Sequence, residues 1–276
     1  MTTNVSTALV TGGTSGIGRA AAKKLAQLGI HVIVVGRNAE RGEKTVAEIR
    51  AAGGKADVIS ADLHDASSAR EVARRAIELG NDHVDILINS AGMFPFGPTH
   101  EMTEEAFESV YALNVKVPYF LVATLAPLMA KRGKGAIVNV STMAADYAVS
   151  GLSLYGSSKA ALNLLTKTWA AEYGPSGVRV NTVTPGPTRT EGTDAMGEAL
   201  EQLAAQAPRA VRLQRTRLPK PLSSWRRIVP VLFTAQISPS TEGALRFENW
   251  SPRVFRRTLH GKRIISISSR LGPDNR

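Results

Sequence analysis

Cysteine is absent from the 276-residue chain, which excludes a disulfide framework, a thiolate zinc site and a thiol nucleophile. The five histidines (His31, His64, His83, His100 and His260) are scattered, with no pair at metal-ligand spacing, so no metal is expected. Met1 to Ser6 is short and polar and runs straight into a strand pattern, which does not suit a signal peptide. No apolar run reaches the ~20 residues of a membrane span. The expectation is a soluble, cytoplasmic protein without a membrane partner.

Acidic residues are scarce in one part of the chain only. From Pro208 to Arg276 there are 15 Lys and Arg against 3 Asp and Glu, whereas residues 1–207 hold 19 against 20. The net charge of +11 therefore belongs to the tail. A basic tail raises the question of nucleic acid, but its arginines are scattered among prolines and apolar residues instead of lying on one helix or between stacking aromatics, so nucleic acid is the weaker reading.

The first 186 residues alternate compact β-branched runs with helical periodicity, the pattern of βαβ units around a parallel sheet. Strands are expected at 7–11, 31–35, 55–60, 84–89, 135–141 and 178–183, with helices at 17–28, 39–52, 66–79, 104–130 and 154–173. In such sheets ligands bind beyond the carboxyl ends of the strands, and the motifs fall there. Thr11-Gly12-Gly13-Thr14-Ser15-Gly16-Ile17-Gly18 follows the first strand. Its glycines allow a tight turn that brings backbone close to a pyrophosphate at the next helix's N-terminus, and no Gly-Lys-Ser/Thr follows to make a P-loop. After the second strand comes Gly36-Arg37-Asn38, with no carboxylate for ribose hydroxyls and with a guanidinium suited to a 2′-phosphate. Tyr155 and Lys159 stand four apart on one helix face, so an ammonium can favour the phenolate of a Tyr acting as acid or base. Ser141, at the end of the fifth strand, is placed to hydrogen-bond a substrate oxygen.

In this order and spacing the chain resembles the short-chain dehydrogenase/reductase family. The resemblance implies an α/β fold, a Rossmann-like doubly wound parallel sheet with helices on both faces, over an NADP(H)-binding and catalytic domain spanning 1–207. It implies hydride transfer between NADP(H), with NAD(H) as the alternative, and a small-molecule carbonyl or secondary alcohol. Tyr155 would be the general acid/base, assisted by Lys159 and Ser141, with Asn114 holding a water. Gly12, Thr14, Ser15, Gly16, Ile17 and Gly18 would cradle the pyrophosphate. Arg37 would take the 2′-phosphate, Asp62 with Leu63 the adenine, and Ala91 and Gly92 the ribose beside a bracing Asn89. Pro185, Gly186, Thr188 and Thr190 would cover the nicotinamide, and Lys159 would contact its ribose. The apolar or small residues near the site argue for an uncharged or apolar carbonyl compound.

The resemblance stops near residue 207. Pro219 and Pro221 forbid the helix that relatives carry there. Permitted codons for Ser240-Thr241-Glu242-Gly243 hide Val-Asp-Gly-Gly in a neighbouring frame, matching the family's C-terminal signature. Residues 208–276 are therefore read as a frame-shifted, atypical basic tail, irregular or disordered, that leaves the sheet without the family's last strand and the family-type homo-oligomer in doubt. A catalytically impaired relative is the alternative function.

Overall fold

The computed structural model describes residues 5–194 and 197–198, together with the backbone of 213–214, 256–259 and 262–265. Its first unit is built on six parallel strands: β1 (Thr7–Thr11), β2 (His31–Gly36), β3 (Ala56–Ser60), β4 (Ile86–Asn89), β5 (Gly135–Val140) and β6 (Val178–Val183). They lie in the order β3-β2-β1-β4-β5-β6, so the chain winds outward one way from β1 and then the other. The helices between them are α1 (Gly16–Gln27), α2 (Ala39–Ala51), α3 (Ala66–Leu79), α4 (Glu104–Tyr111), α5 (Val117–Lys131) and α6 (Ser153–Tyr173). This is the doubly wound architecture expected.

Both faces of the sheet are covered, and alternation along each strand decides which side chain goes where. Leu9, Ile33, Leu87 and Ile137 join one buried cluster with Val72 of α3, Leu121 and Leu125 of α5 and Leu162 of α6. Their neighbours Val10, Val34, Ile88 and Val138 join the other, with Ala22 and Leu25 of α1 and Ile49 of α2. Short polar side chains start three of the helices: Asn38, Asp65 and Thr103 accept the N–H groups of Arg41, Ser68 and Ala106, offsetting donors that the helix leaves unpaired.

A π turn, Ala112–Lys116, joins α4 to α5, making one helical run from Glu104 to Lys131 that by length and composition is apolar enough to cross a membrane. Val117, Leu121, Val122, Leu125, Ala126 and Met129 of that run are buried in the core, which accounts for its apolar character.

The expected irregular tail, its frame shift and the missing parallel last strand fall mostly outside the described residues. What is described there is Leu213–Gln214 (β7), antiparallel against Thr182–Val183, so the edge of β6 that was expected to be bare has a two-residue neighbour. In a second unit, Ser238–Arg276, Arg256–Leu259 (β8) pairs antiparallel with Lys262–Ile265 (β9).

Leu121 is fully buried between the sheet and α3. Leu121→Ala should lower the unfolding free energy by about 2–5 kcal/mol, through lost transfer energy and the cavity left behind, read as a shift in the urea midpoint at unchanged slope.

Candidate active site

At the carboxyl edge of β1, the glycine-rich turn is shaped by what cannot be there. Gly12 has φ +63°, and a Cβ on it would sit 2.8 Å from the amide nitrogen of Ala91. A Cβ on Gly18 would lie 2.3 Å from the Gly12 carbonyl oxygen. Only glycine permits this close approach of turn, helix and the β4 end. The N-terminus of α1 has no side-chain cap from Ser15 and no acidic residue in its first turn, so its donors and positive dipole end are open to an anion. One is filled from within the chain: the Glu191 carboxylate accepts the Gly16 N–H at 2.9 Å and faces Arg19 at 3.4 Å. Its own backbone N–H and that of Gly16, with Arg19, hold its pKa below the ordinary value.

From this turn a cleft of about 1660 Å³ runs along the strand ends. Of the residues expected at a cofactor, Gly12, Thr14, Ser15, Gly16, Ile17, Arg37, Asp62, Leu63, Ala91 and Gly92 line it, as do Tyr155, Lys159, Pro185, Gly186, Thr188 and Thr190. Gly18, Asn89 and Asn114 do not; they stand behind the wall. Asn89 donates to Asn139 at 2.8 Å, and Asn139 donates to Thr166 of α6 at 2.8 Å. Asn114, in the π turn and fully buried, accepts the Met93 N–H and donates to the Met93 carbonyl, both at 2.9 Å, and to the Ser158 hydroxyl at 3.0 Å. Its amide is thereby committed to bracing the loop after β4. Arg37 is three-quarters exposed at the rim, 3.9 Å from Asp62. Arg41, one turn further into α2, lines the same end; its i,i+4 spacing from Arg37 was the signal for it.

At the other end, α6 carries Tyr155 and Lys159 to the ends of β5 and β6. Lys159 is buried and donates from Nζ to the Val140 carbonyl at 2.8 Å; loss of solvent brings its pKa down to about 8. Burial moves the Tyr155 phenol the other way, above its ordinary value, and a hydrogen bond with the Thr142 hydroxyl opposes that rise. Lys159, expected to pull the phenol down, is not among the groups acting on it here; burial and the Thr142 hydroxyl are.

Ser141 is brought to the same strand end, but its Oγ is buried with no hydrogen-bond partner. The hydroxyl at the phenol belongs to Thr142 instead. Both residues follow β5, which ends at Val140, and both line the cleft, but only Thr142 reaches the phenol.

Residues 6–201 match a family model described as short chain dehydrogenase. An uncharacterised oxidoreductase of Thermotoga maritima is 39% identical over 191 residues, which cover 69% of this chain and 75% of the relative. Among solved structures, a blue fluorescent protein from a metagenomic library in complex with NADPH is 33% identical, with TM-score 0.68 over 72% of this chain and 81% of that one. A metagenomic short-chain oxidoreductase in complex with NADP is also 33% identical, with TM-score 0.64 over 76% and 96% of the two chains.

The lowered Lys159 pKa makes a signed prediction. Below about pH 8 the folded protein carries a charge that its interior disfavours. Between there and the ordinary lysine value of about 10.4 the unfolded chain binds the extra proton, so this residue's contribution to stability rises with pH across that window. In Lys159→Met that rise should be missing. Chemical denaturation of both proteins from pH 7 to 10 checks it: the difference curve should slope, and a flat one would contradict the buried ammonium.

Proposed function

The chain belongs to the short-chain dehydrogenase family, and from that premise we propose that it is an NADP(H)-dependent oxidoreductase acting on a carbonyl compound or the corresponding secondary alcohol. The observation that carries the reading is the convergence of Tyr155, Lys159 and Thr142 at one end of a cleft whose other end is a glycine turn at an uncapped helix N-terminus. The close-packed glycines and open amides fit a dinucleotide's pyrophosphate. When bound, the nicotinamide supplies or accepts the hydride.

The residues around it do the rest. Tyr155, whose burial further favours the neutral phenol, donates its proton to the carbonyl oxygen during reduction. Thr142 donates a hydrogen bond to the oxygen on which charge develops, the part the sequence reading gave to Ser141. Lys159, with its pKa near 8, holds a proton that can be passed toward the phenol. Asn114 positions the loop of Gly92 and Met93 that faces Lys159. NADP(H) is favoured over NAD(H) because Gly36 offers no carboxylate to the ribose and because Arg37 and Arg41 line that end of the cleft; the two NADP(H)-bound relatives support the choice.

The test of the reaction is NADPH oxidation over a panel of ketones and aldehydes. Tyr155→Phe should abolish turnover while NADPH fluorescence still reports binding. Thr142→Val should lower kcat by about a hundredfold or more, the usual loss for one oxyanion donor, and Ser141→Ala should stay near the parent. The reverse ranking of those two variants would return the role to Ser141.

A second prediction concerns the cofactor. Arg37→Asp replaces a phosphate partner with a repelling carboxylate. A charge-assisted bond contributes about 1.5–3 kcal/mol, so NADPH affinity should fall roughly tenfold or more, while NADH affinity should not fall. Equal affinity of the parent for both dinucleotides would contradict the choice.

A further inference from the structure

The cleft is electrostatically divided. Apart from Lys159, the charged side chains lining it are Arg37, Arg41 and Asp62, and Glu108 and Lys116 of the α4 run. Among the described residues, those that line it from the segments flanking Tyr155 (93–96, 142–152 and 185–193) include no charged side chain. What those segments bring is apolar surface. Met93, Phe94, Phe96 and Tyr147 are from 36% (Met93) to 65% (Phe96) exposed, and all four line the cleft. Large apolar groups exposed together in one concavity mark a binding surface.

Their placement relative to the chemistry is specific. The Phe94 ring meets Tyr155 edge-on, 6.1 Å between centroids at 62°, so an apolar wall stands directly beside the phenol. Gly192, on the segment after β6, comes close to that ring: a Cβ there would lie 3.5 Å from Phe94 Cζ. The Phe96 ring is seated against Gly151, whose φ is +81° and whose Cβ would lie 2.8 Å from it. Both rings are thus held by backbone without side chains, and their outer faces remain open to the cleft.

We infer that the substrate is an uncharged ketone carrying an aryl or comparably bulky apolar arm, which lies against Phe94 and Phe96 while its carbonyl faces Tyr155. Among the described residues, a carboxylate beside the carbonyl would enter a region where the segments flanking Tyr155 line the cleft with no cation, and the nearby Lys159 ammonium is buried and bonded to Val140. This inference rests on the function proposed above and narrows it to a substrate class.

A matched pair of probes tests it, acetophenone against benzoylformate, which share the phenyl ketone and differ in the added carboxylate. Saturation-transfer NMR on the full chain with NADPH reads binding without turnover, and NADPH oxidation reads kcat/KM where turnover occurs. Acetophenone should bind and benzoylformate should not, with kcat/KM at least about a hundredfold apart. Phe94→Ala should weaken acetophenone binding roughly tenfold, read in the saturation-transfer titration and in a raised KM. Equal or tighter binding of benzoylformate, indifference to Phe94→Ala, or failure of both probes to bind the NADPH complex would overturn the inference. NADPH binding, followed separately by fluorescence, tests the proposed function, so the two can fail independently.

Discussion

Lys159 puts a cationic group in the interior with a single hydrogen-bond partner, the Val140 carbonyl at 2.8 Å. Such a group is tolerated only where surrounding structure holds it in place, and the carboxyl edge of the sheet is arranged to do so. The bond fixes one turn of α6 against the last residue of β5. Seven residues further along α6, at Thr166, a second fixture runs sideways: Asn89 to Asn139 to Thr166, joined by Thr182 at 3.0 Å. This chain of short polar side chains ties β4, β5, β6 and α6 together in a buried layer, where satisfied hydrogen bonds specify one arrangement and an unsatisfied one would be costly. Asn114 adds a third, locking the loop after β4 to α6 through Ser158. Tyr155, one turn before Lys159, inherits its position from all three.

At the opposite end of the cleft the constraint is an excess of donors. The start of α1 has neither a side-chain cap nor an acidic first turn, in contrast to α2, α3 and α4, whose caps are Asn38, Asp65 and Thr103. Glu191, from the segment after β6, supplies a carboxylate to Gly16, and Arg19 faces that carboxylate and Glu48 alike. Thr190 packs beside the same glycine, 3.1 Å from where a Cβ would be. The stretch that would cover a nicotinamide is thereby anchored on the turn that would hold the pyrophosphate, so the two halves of the proposed cofactor site form one contiguous structure.

Much of this was legible from residue order. Compact apolar runs and period-3.6 patterning located the six parallel strands, and α1, α2, α3 and α6, to within two residues or so, because strands buried on both faces must be continuously apolar; the helix expected at 104–130 is instead α4, a π turn and α5, and the short 3-10 helices at 99–101, 143–145 and 174–176 were not foreseen. The glycine turn and the Tyr155–Lys159 pair were legible because backbone conformation and helix geometry translate directly into spacing. What escaped depends on facing. Ser141 and Thr142 are adjacent hydroxyls just past β5, and only the folded backbone distinguishes the one at the phenol from the one buried without a partner. The π turn that places Asn114 leaves no mark in periodicity. Phe94 and Phe96 gain their meaning from Gly192 and Gly151, some 55 to 98 residues distant in sequence.

The most instructive departure concerns proton affinity. Spacing alone suggested that a cation one turn away would lower the phenol pKa, since opposite charges at close range favour each other's ionised forms. In the folded protein, burial acts on both groups in the sense that favours neutrality: up for Tyr155, down to about 8 for Lys159. Desolvation wins because the Lys159 ammonium is held on Val140 rather than on the phenol, and the Thr142 hydroxyl supplies the opposing hydrogen bond. The consequence for the proposed reaction is directional. A neutral phenol is already in the form that donates a proton to a carbonyl, and a lysine near 8 exchanges protons readily close to physiological pH, so reduction draws on groups in their resting states. Oxidation of an alcohol needs the phenolate, which this environment disfavours, and its rate should therefore climb with pH where that of reduction declines.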